Sequence, residues 1–485
     1  MNNKLQLLTD LYELTMMQGY FRTGNRERVV FDLFYRDNPC GGGYAISAGL
    51  QQALDYIENL TFSDEDIDYL ASVGVFENDF LDYLRDFKFS GDVYAIPEGT
   101  VIFPHEPIVK VVAPIMEAQL METALLNIIN HQTLIATKAS RVCYAAGDDG
   151  VMEFGLRRAQ GPDAGTYGAR AAVIGGCNGT SNVLAGKMFD IPVKGTHAHS
   201  WIMSFPDEYT AFRKYAELYP QACILLIDTY DTLGSGLPNA IRVFKEMRDE
   251  GKELSFYGIR MDSGDLAYLS KEVRRRLDEE GFNDAVISAS NDLDEYLIES
   301  LKNQGAQITS WGVGTSMIIS RDCPALGGVY KLAAIEHDGE FIPKIKLSEN
   351  SEKNTNPGNK EIYRIYEKNS GKIKADLICL SGEEFDENAD MVLFDPRETW
   401  KKTKLKGGTY TMKKLLVHVV DKGAVVYKSP KVWEIRDIRA RQMDTLWEGN
   451  KRFTNPAQVY VDLSDKLYDC KAKVLESLTD AKYGE

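Results

Sequence analysis

Residues 223–232 read CILLIDTYDT, an apolar run that stops on a turn of carboxylates and hydroxyls. The same texture returns along the middle of the chain. Apolar runs at 151–154, 171–175, 191–195, 223–228, 256–262, 285–290 and 308–314 alternate with helical patterns, most clearly at 209–219, 239–250, 265–280 and 293–303. Strand, helix, strand at this spacing predicts parallel βα units, and seven of them predict an α/β domain of the (β/α) barrel-like kind. In such a barrel the C-terminal strand ends converge on one face, where catalytic groups gather. Here each end is polar or glycine-rich: EFGLRR (153–158), GGCNGTSN (175–182), KGTHAHSW (194–201), IDTYDT (227–232), RMDSGD (260–265), SASND (288–292) and WGVGTS (311–316).

On either side the rhythm is different. Residues 9–21 have helical spacing, with Asp10 and Glu13 placed as a capping box, followed by a strand at 29–35 and a helix at 48–58. The stretch 91–114 has short β-branched runs broken by Pro and Gly, which suits a small barrel or sandwich serving as scaffold. A helix at 118–145 leads out of it. After Tyr330 the βα pattern lapses, and 344–364 is a basic, polar stretch, either a solvated linker or a phosphate-reaching flap. Short strand-like runs (ADLICL, LLVHVV, AVVY) and a helical tail from Val432 complete the chain. The expected organisation is 1–145, an N-terminal α+β domain; 146–345, the catalytic barrel; and 346–485, a mixed domain packing with the first. The N- and C-terminal segments together form an α+β side domain.

Bulk composition narrows the function. At 485 residues the chain is too long for one ordinary core, and 44% hydrophobic with 26% charged residues is the balance of a globular protein. A net charge of −16 excludes nucleic acid and anionic membranes as general partners, so a phosphate site must be a local basic pocket. Seven cysteines stand singly with no CxxC pair, the pattern of free thiols in a reducing compartment. No run is apolar and long enough to span a bilayer. The expectation is a cytoplasmic protein.

The chemistry concentrates on the strand ends. Only six histidines occur, and two of them, His197 and His199, fall in GTHAHSW (195–201). Imidazole on a loop after a strand can be a nucleophile or proton carrier, or can satisfy a loop hydrogen bond. The spacing also matches a metal pair, but no third His or Cys follows closely. Arg157, Arg158, Lys194 and Arg260 supply positive charge, and Gly312, Gly314 and Thr315 form a turn whose N–H groups suit a phosphate. Asp228, Asp231, Asp262, Asp265 and Asp292 crowd the same rim, where carboxylates hold Mg²⁺ beside a substrate phosphate or cap helices. These residues describe a Mg²⁺-assisted enzyme acting on a phosphorylated anionic small molecule, with His199 or His197 as nucleophile or proton carrier.

TDLYELTM (9–16), GTHAHSW, IDTYDT, RMDSGD and WGVGT, in this order and spacing, resemble the nicotinate phosphoribosyltransferase family over most of the chain. The resemblance implies a type II phosphoribosyltransferase fold. It also implies formation of nicotinate mononucleotide and pyrophosphate from nicotinate and phosphoribosyl pyrophosphate. ATP is a co-substrate, hydrolysed through a phosphohistidine, and Mg²⁺ accompanies the substrates without fixed protein ligands, near Asp231 and Asp262. Carried over by position, His199 is the modified histidine and Asp228 the carboxylate that orients it. Phe154 stacks on the pyridine ring, with Tyr12 covering the other face from a second subunit of a homodimer with shared sites. Arg260 and Arg157 take the nicotinate carboxylate, with Thr196 adding a hydrogen bond. Asp262, Asp292, Gly312, Gly314 and Thr315 match ribose and phosphate positions, and Lys346, Lys353 and Lys360 are phosphate candidates in the basic loop. Where the nicotinamide-using family has an aspartate this chain has Ser181, which favours nicotinate, because a carboxylate there would repel the substrate's own. The alternatives are a nicotinamide-type or quinolinate enzyme, or a silent nucleotide-binding paralogue, whose signature would be loss of His199, Asp228 or Arg260.

Overall fold

The computed structural model describes residues 5–252, 254–347 and 355–483, so Lys353 lies outside the described residues. The chain forms two compact units. One comprises Met1–Leu134, Ala325–Pro430 and Asp437–Glu485; the other comprises Ile135–Pro324 with Lys431–Arg436. The barrel unit therefore starts and stops earlier than the boundaries expected at 145/146 and 345/346.

The barrel unit holds a six-stranded parallel sheet in the order Gly179–Thr180, Gly150–Glu153, Ser310–Val313, Val286–Ala289, Tyr257–Met261, Cys223–Leu226. Two expected strands are different. Residues 171–175 are the end of the helix Pro162–Ile174, whose Ala169, Ala171, Ala172, Val173 and Ile174 are all buried. A helix buried on every side reads as a continuous apolar run, the same signal a buried strand gives. The strand that follows it is only Gly179–Thr180, and the run at 191–195 contributes a single bridge, Val193 to Thr180. The barrel is thus incomplete.

The helices after the strands follow the pattern. Leu237–Asp249 buries Ala240, Ile241, Val243, Phe244 and Met247 along one stripe, and Phe244 meets Tyr257 and Phe282 edge-on at centroid distances of 5.1 and 5.7 Å. Several of the rim carboxylates begin helices. Asp265 accepts the Ala267 and Tyr268 amides before Leu266–Glu279, and Asp294 accepts Leu297 N at 2.8 Å before Glu295–Asn303. Such caps contribute about 1 kcal/mol each. Glu295 itself is fully buried and bonded by Lys138 and Arg141, each at 2.7 Å.

The other unit is built on a seven-stranded sheet ordered Glu340–Pro343, Gly328–His337, Arg28–Tyr35, Val109–Pro114, Asp92–Ala95, Val417–Asp421, Ala424–Val425. Of the stretch 91–114, expected as a small barrel or sandwich, Asp92–Ala95 and Val109–Pro114 lie inside this sheet, and Val101–Ile102 pairs with Ala45–Ile46 in a two-stranded one. The prolines and glycines of the stretch lie at strand ends, where no ladder bond is lost. Gly328–His337 pairs antiparallel with Arg28–Tyr35, which takes the chain after residue 325 out of the barrel unit. A second sheet orders Tyr410–Lys414, Lys360–Glu367, Ile373–Leu380, Tyr460–Leu463.

The first helix is Leu11–Thr23, and the expected capping box is absent. Asp10 and the buried Glu13 instead both accept from Thr123: Asp10 at 3.0 Å and Glu13 at 2.5 Å from the hydroxyl, Glu13 also from the amide at 2.9 Å. Glu13 keeps a local partner in the Thr9 hydroxyl, and Thr123 takes its other oxygen. No helix among the described residues is long and apolar enough to cross a membrane, and none of the seven cysteines is in a disulfide.

Candidate active site

The polar strand ends of the barrel unit converge on Arg260. This guanidinium, on the strand Tyr257–Met261, donates to Ser290 Oγ at 2.7 Å, Thr196 Oγ1 at 2.8 Å and Asp262 Oδ1 at 2.9 Å. Ser290 in turn bonds Asp262. The strand ends at Asp262 and Ser290 and the histidine loop at Thr196 are thereby locked to one planar cation. One N–H on each terminal nitrogen remains uncommitted, the fork that a carboxylate accepts in two-pronged fashion.

Beside it, Asp228 Oδ2 accepts the Asp262 amide at 2.8 Å and the Ser263 hydroxyl at 2.6 Å. Its other oxygen, Oδ1, is buried and has no hydrogen-bond partner. His199 begins the short helix His199–Met203 and is half-buried, its Nδ1 at 3.1 Å from Thr229 Oγ1. In the tautomer that gives Nδ1–H to that hydroxyl, the lone pair is on Nε2.

His197 behaves differently. It is 7% exposed, its Nε2 accepts Leu226 N at 3.3 Å, and its ring meets Tyr215 edge-on at 4.6 Å. Burial pushes its pKa down to about 4, so it is neutral scaffold.

The opposite wall comes from Phe154 and the last strand. Phe154 N donates to Val313 O at 2.8 Å, and its ring lies so close to Gly312 that a Cβ there would meet Phe154 Cδ2 at 2.7 Å. The glycine is required by the aromatic ring, not by backbone torsion. Gly314 leads into the short helix Thr315–Ile318, and the Ser316 hydroxyl is buried without a partner. Ser181 is half-buried beside this wall, its N–H bonded to Glu153 O at 3.0 Å.

Models of the nicotinate phosphoribosyltransferase (NAPRTase) family match the chain in three parts: N-terminal domain over 7–130, family over 150–370, C-terminal domain over 359–471. A nicotinate phosphoribosyltransferase of Bacillus subtilis (strain 168) is 48% identical over 482 residues, 99% of this chain and 96% of that protein. The chain belongs to the nicotinate phosphoribosyltransferase family. The crystal structure of human nicotinic acid phosphoribosyltransferase superposes with a TM-score of 0.84 at 30% identity, covering 96% of this chain and 99% of that one. A nicotinate-nucleotide pyrophosphorylase from Pyrococcus furiosus shares the fold, with a TM-score of 0.69 at 22% identity over 91% of this chain and 96% of that one. As a nicotinate phosphoribosyltransferase, the chain is a transferase of NAD biosynthesis.

Within this family member the structure brings Thr196, Asp228, Arg260 and Asp262 into one bonded network, with His199 on the neighbouring loop. Other expected positions differ. His199 bonds Thr229, not Asp228, because the Asp228 carboxylate is turned toward Asp262 and Ser263. Arg157 is exposed on the turn Leu156–Arg158 and is in no ion pair among the described residues. Asp231 is exposed and caps the turn that follows, its Oδ1 accepting Leu233 N at 3.2 Å and Gly234 N at 2.8 Å. Asp292 is exposed in the turn after Ser290, and Thr315 is half-buried.

Lys360 is not a loop lysine. It is 2% exposed and paired with Asp32 at 2.7 Å, with further bonds to Asn356 O and Gly358 O. Lys346 is exposed. Tyr12 stands 45% exposed on the first helix, and burial of its phenol, with Glu122 and Glu13 nearby, raises its pKa. Sequence reasoning missed Thr229, Ser263, Ser290 and Glu153. All four fall at or beside strand ends, which was the one available signal.

Proposed function

We propose that this nicotinate phosphoribosyltransferase joins nicotinate to 5-phosphoribosyl 1-pyrophosphate at the Arg260 network and couples the reaction to ATP hydrolysis through phosphorylation of His199. The observation that carries the reading is the three-point fixing of Arg260 with two N–H groups to spare. A nicotinate carboxylate on that fork orients the ring, and Phe154 offers a face for it to stack on. The pyridine nitrogen then attacks the anomeric carbon. The C–O bond to pyrophosphate breaks, and its electron pair leaves with that group. Asp262 fits the ribose hydroxyls, and the Gly314–Thr315 turn the 5-phosphate. Positioning supplies much of the acceleration.

His199 suits the coupling role because Thr229 holds Nδ1 and leaves Nε2 as nucleophile. In that step an Nε2–P bond forms to the γ-phosphorus as ADP departs. Mg²⁺, expected near Asp231 and Asp262, would also find a ligand in the buried, unpartnered Oδ1 of Asp228, beside Asp262. When bound there, the ion would neutralise charge on the departing pyrophosphate. The shared-site homodimer rests on exposed Tyr12, which would close the ring's second face from a second copy.

The deciding experiment measures nucleotide formed from nicotinate or nicotinamide with phosphoribosyl pyrophosphate and Mg²⁺, each with and without ATP, together with phosphate released. Nicotinate-selective product boosted by ATP is expected. Equal turnover of both bases, or rates indifferent to ATP, would overturn the corresponding half of the reading.

A further inference from the structure

Glu153 ends the strand Gly150–Glu153, next to the edge of the parallel sheet, and is 0% exposed. Its backbone sits between Val313 on one side and Thr180 on the other. No cation is among its partners. One carboxylate oxygen takes the Gly155 amide, and the other takes the Thr180 hydroxyl at 2.5 Å. Thr180 Oγ1 accepts Asn182 N at 2.9 Å, and Asn182 caps the helix Val183–Phe189 through Ala185 N at 3.1 Å while donating to Gly165 O at 3.2 Å. Phe154 and Ser181 are the residues caught between these bonds. Gly155 has no room for a side chain, since a Cβ would meet Ile318 at 2.5 Å and Glu153 Oε1 at 2.9 Å.

An unpaired carboxyl buried this deeply is costly, and an apolar side chain of similar volume would fill the space without that cost. Packing alone does not account for it. What an apolar residue could not do is hold two turns, from adjacent strands, in fixed register.

We propose that Glu153 is a positioning residue for the nicotinate ring: its carboxyl clasps the Phe154 turn to the Ser181 turn, so that stacking face and base-discriminating side chain move as one wall. This rests on the reading that Phe154 and Ser181 line the base site. Burial raises the pKa of this carboxyl, with both hydrogen bonds opposing the rise. Thr196, Asp262 and Ser290 share no direct bond with Glu153. The larger defect on removing the clasp is therefore expected in the base, whose stacking face and discriminating side chain it joins.

The test is steady-state kinetics of the full chain for wild type, Glu153→Gln, Glu153→Met, Thr180→Val and Phe154→Ala, with thermal melts alongside. Glu153→Gln keeps an acceptor for Gly155 but presents N–H to Thr180, so the Thr180 hydroxyl hydrogen loses its acceptor. Glu153→Met fills the volume with no acceptor, and Thr180→Val deletes one hydroxyl and keeps the carboxyl. Each is expected to raise KM for nicotinate about tenfold and to narrow discrimination against nicotinamide, with KM for phosphoribosyl pyrophosphate within about twofold of wild type. If Glu153→Met does not fold, Thr180→Val carries the test. Folded variants with normal KM for nicotinate and normal base preference overturn the proposal, as does an equal rise in both KM values, which marks a general structural defect. Phe154→Ala separates the two levels. An unchanged KM for nicotinate there refutes the base-wall reading itself, whereas a raised KM there with normal Glu153 and Thr180 variants refutes only the clasp.

Discussion

His197 accepts the backbone N–H of Leu226 through Nε2 at 3.3 Å, a bond that only a neutral ring can make. Its folded pKa is about 4, lowered first by burial, against about 6.5 in the unfolded chain. Below pH 6.5 the unfolded chain binds a proton that the fold refuses. Stability is therefore lost as pH falls from about 6.5 toward 4, roughly 2 kcal/mol of it by pH 5. Urea unfolding of wild type and His197→Asn at pH 7 and pH 5 checks this. Wild type is expected to lose more stability than the variant, and equal losses would remove His197 as the cause.

His199 differs from its neighbour by two residues and by accessibility. His199→Ala is expected to abolish ATP hydrolysis while sparing slower, ATP-independent synthesis. Thr229→Val, which loses one neutral hydrogen bond to Nδ1, is expected to slow the ATP-coupled rate about fivefold to tenfold. ATPase activity at the wild-type level in His199→Ala would end the phosphohistidine assignment.

Gly312→Ala places a methyl group at 2.7 Å from the Phe154 ring. The ring must yield, with an overpacking cost of about 1–3 kcal/mol. A raised KM for nicotinate with a near-normal KM for phosphoribosyl pyrophosphate is expected. A rise in both would mean that the displacement spreads beyond the wall.

Ser181→Asp sets a carboxylate where the wall faces the base. It repels nicotinate and accepts from an amide N–H₂, so the ratio of kcat/KM for nicotinate over nicotinamide is expected to fall about tenfold or more. An unchanged ratio under competition between the two bases would locate discrimination elsewhere.

Tyr12 and His199 test the shared site. Inactive Tyr12→Ala and His199→Ala chains, mixed and re-equilibrated, are expected to recover part of the ATP-coupled activity if each site takes Tyr12 from a second copy. Sedimentation of the same mixture confirms assembly, and assembled but inactive mixtures would show that sites are self-contained.

The barrel was legible where a strand, its polar end and a capping carboxylate follow one another closely, as in Cys223–Leu226 and Tyr257–Met261. It was misread at 171–175, because a fully buried helix loses the polar face that identifies it. The site was half legible. Arg260 announces itself as a cation at a strand end, but its hold on Ser290 and Thr196 spans 30 and 64 residues, and no local pattern encodes that. Lys360 shows the converse. Basic, polar surroundings in sequence marked it as solvated, and Asp32, more than three hundred residues earlier, buried it.

The incomplete barrel has a seam, and the two sides of the histidine loop cross it by different means. Toward Thr180 the loop is stitched by backbone, through Thr180 N to Pro192 O and Lys194 N to Thr180 O. Toward the strands Cys223–Leu226 and Tyr257–Met261 it is buttoned by side chains: His197 to Leu226, Thr196 to Arg260, His199 to Thr229. Two of those three fastenings use side chains whose remaining atoms a substrate would claim. A ligand taken by the spare Arg260 N–H groups or by His199 Nε2 therefore leaves both fastenings in place, and the contacts that close the seam also set the direction in which the site's free groups point.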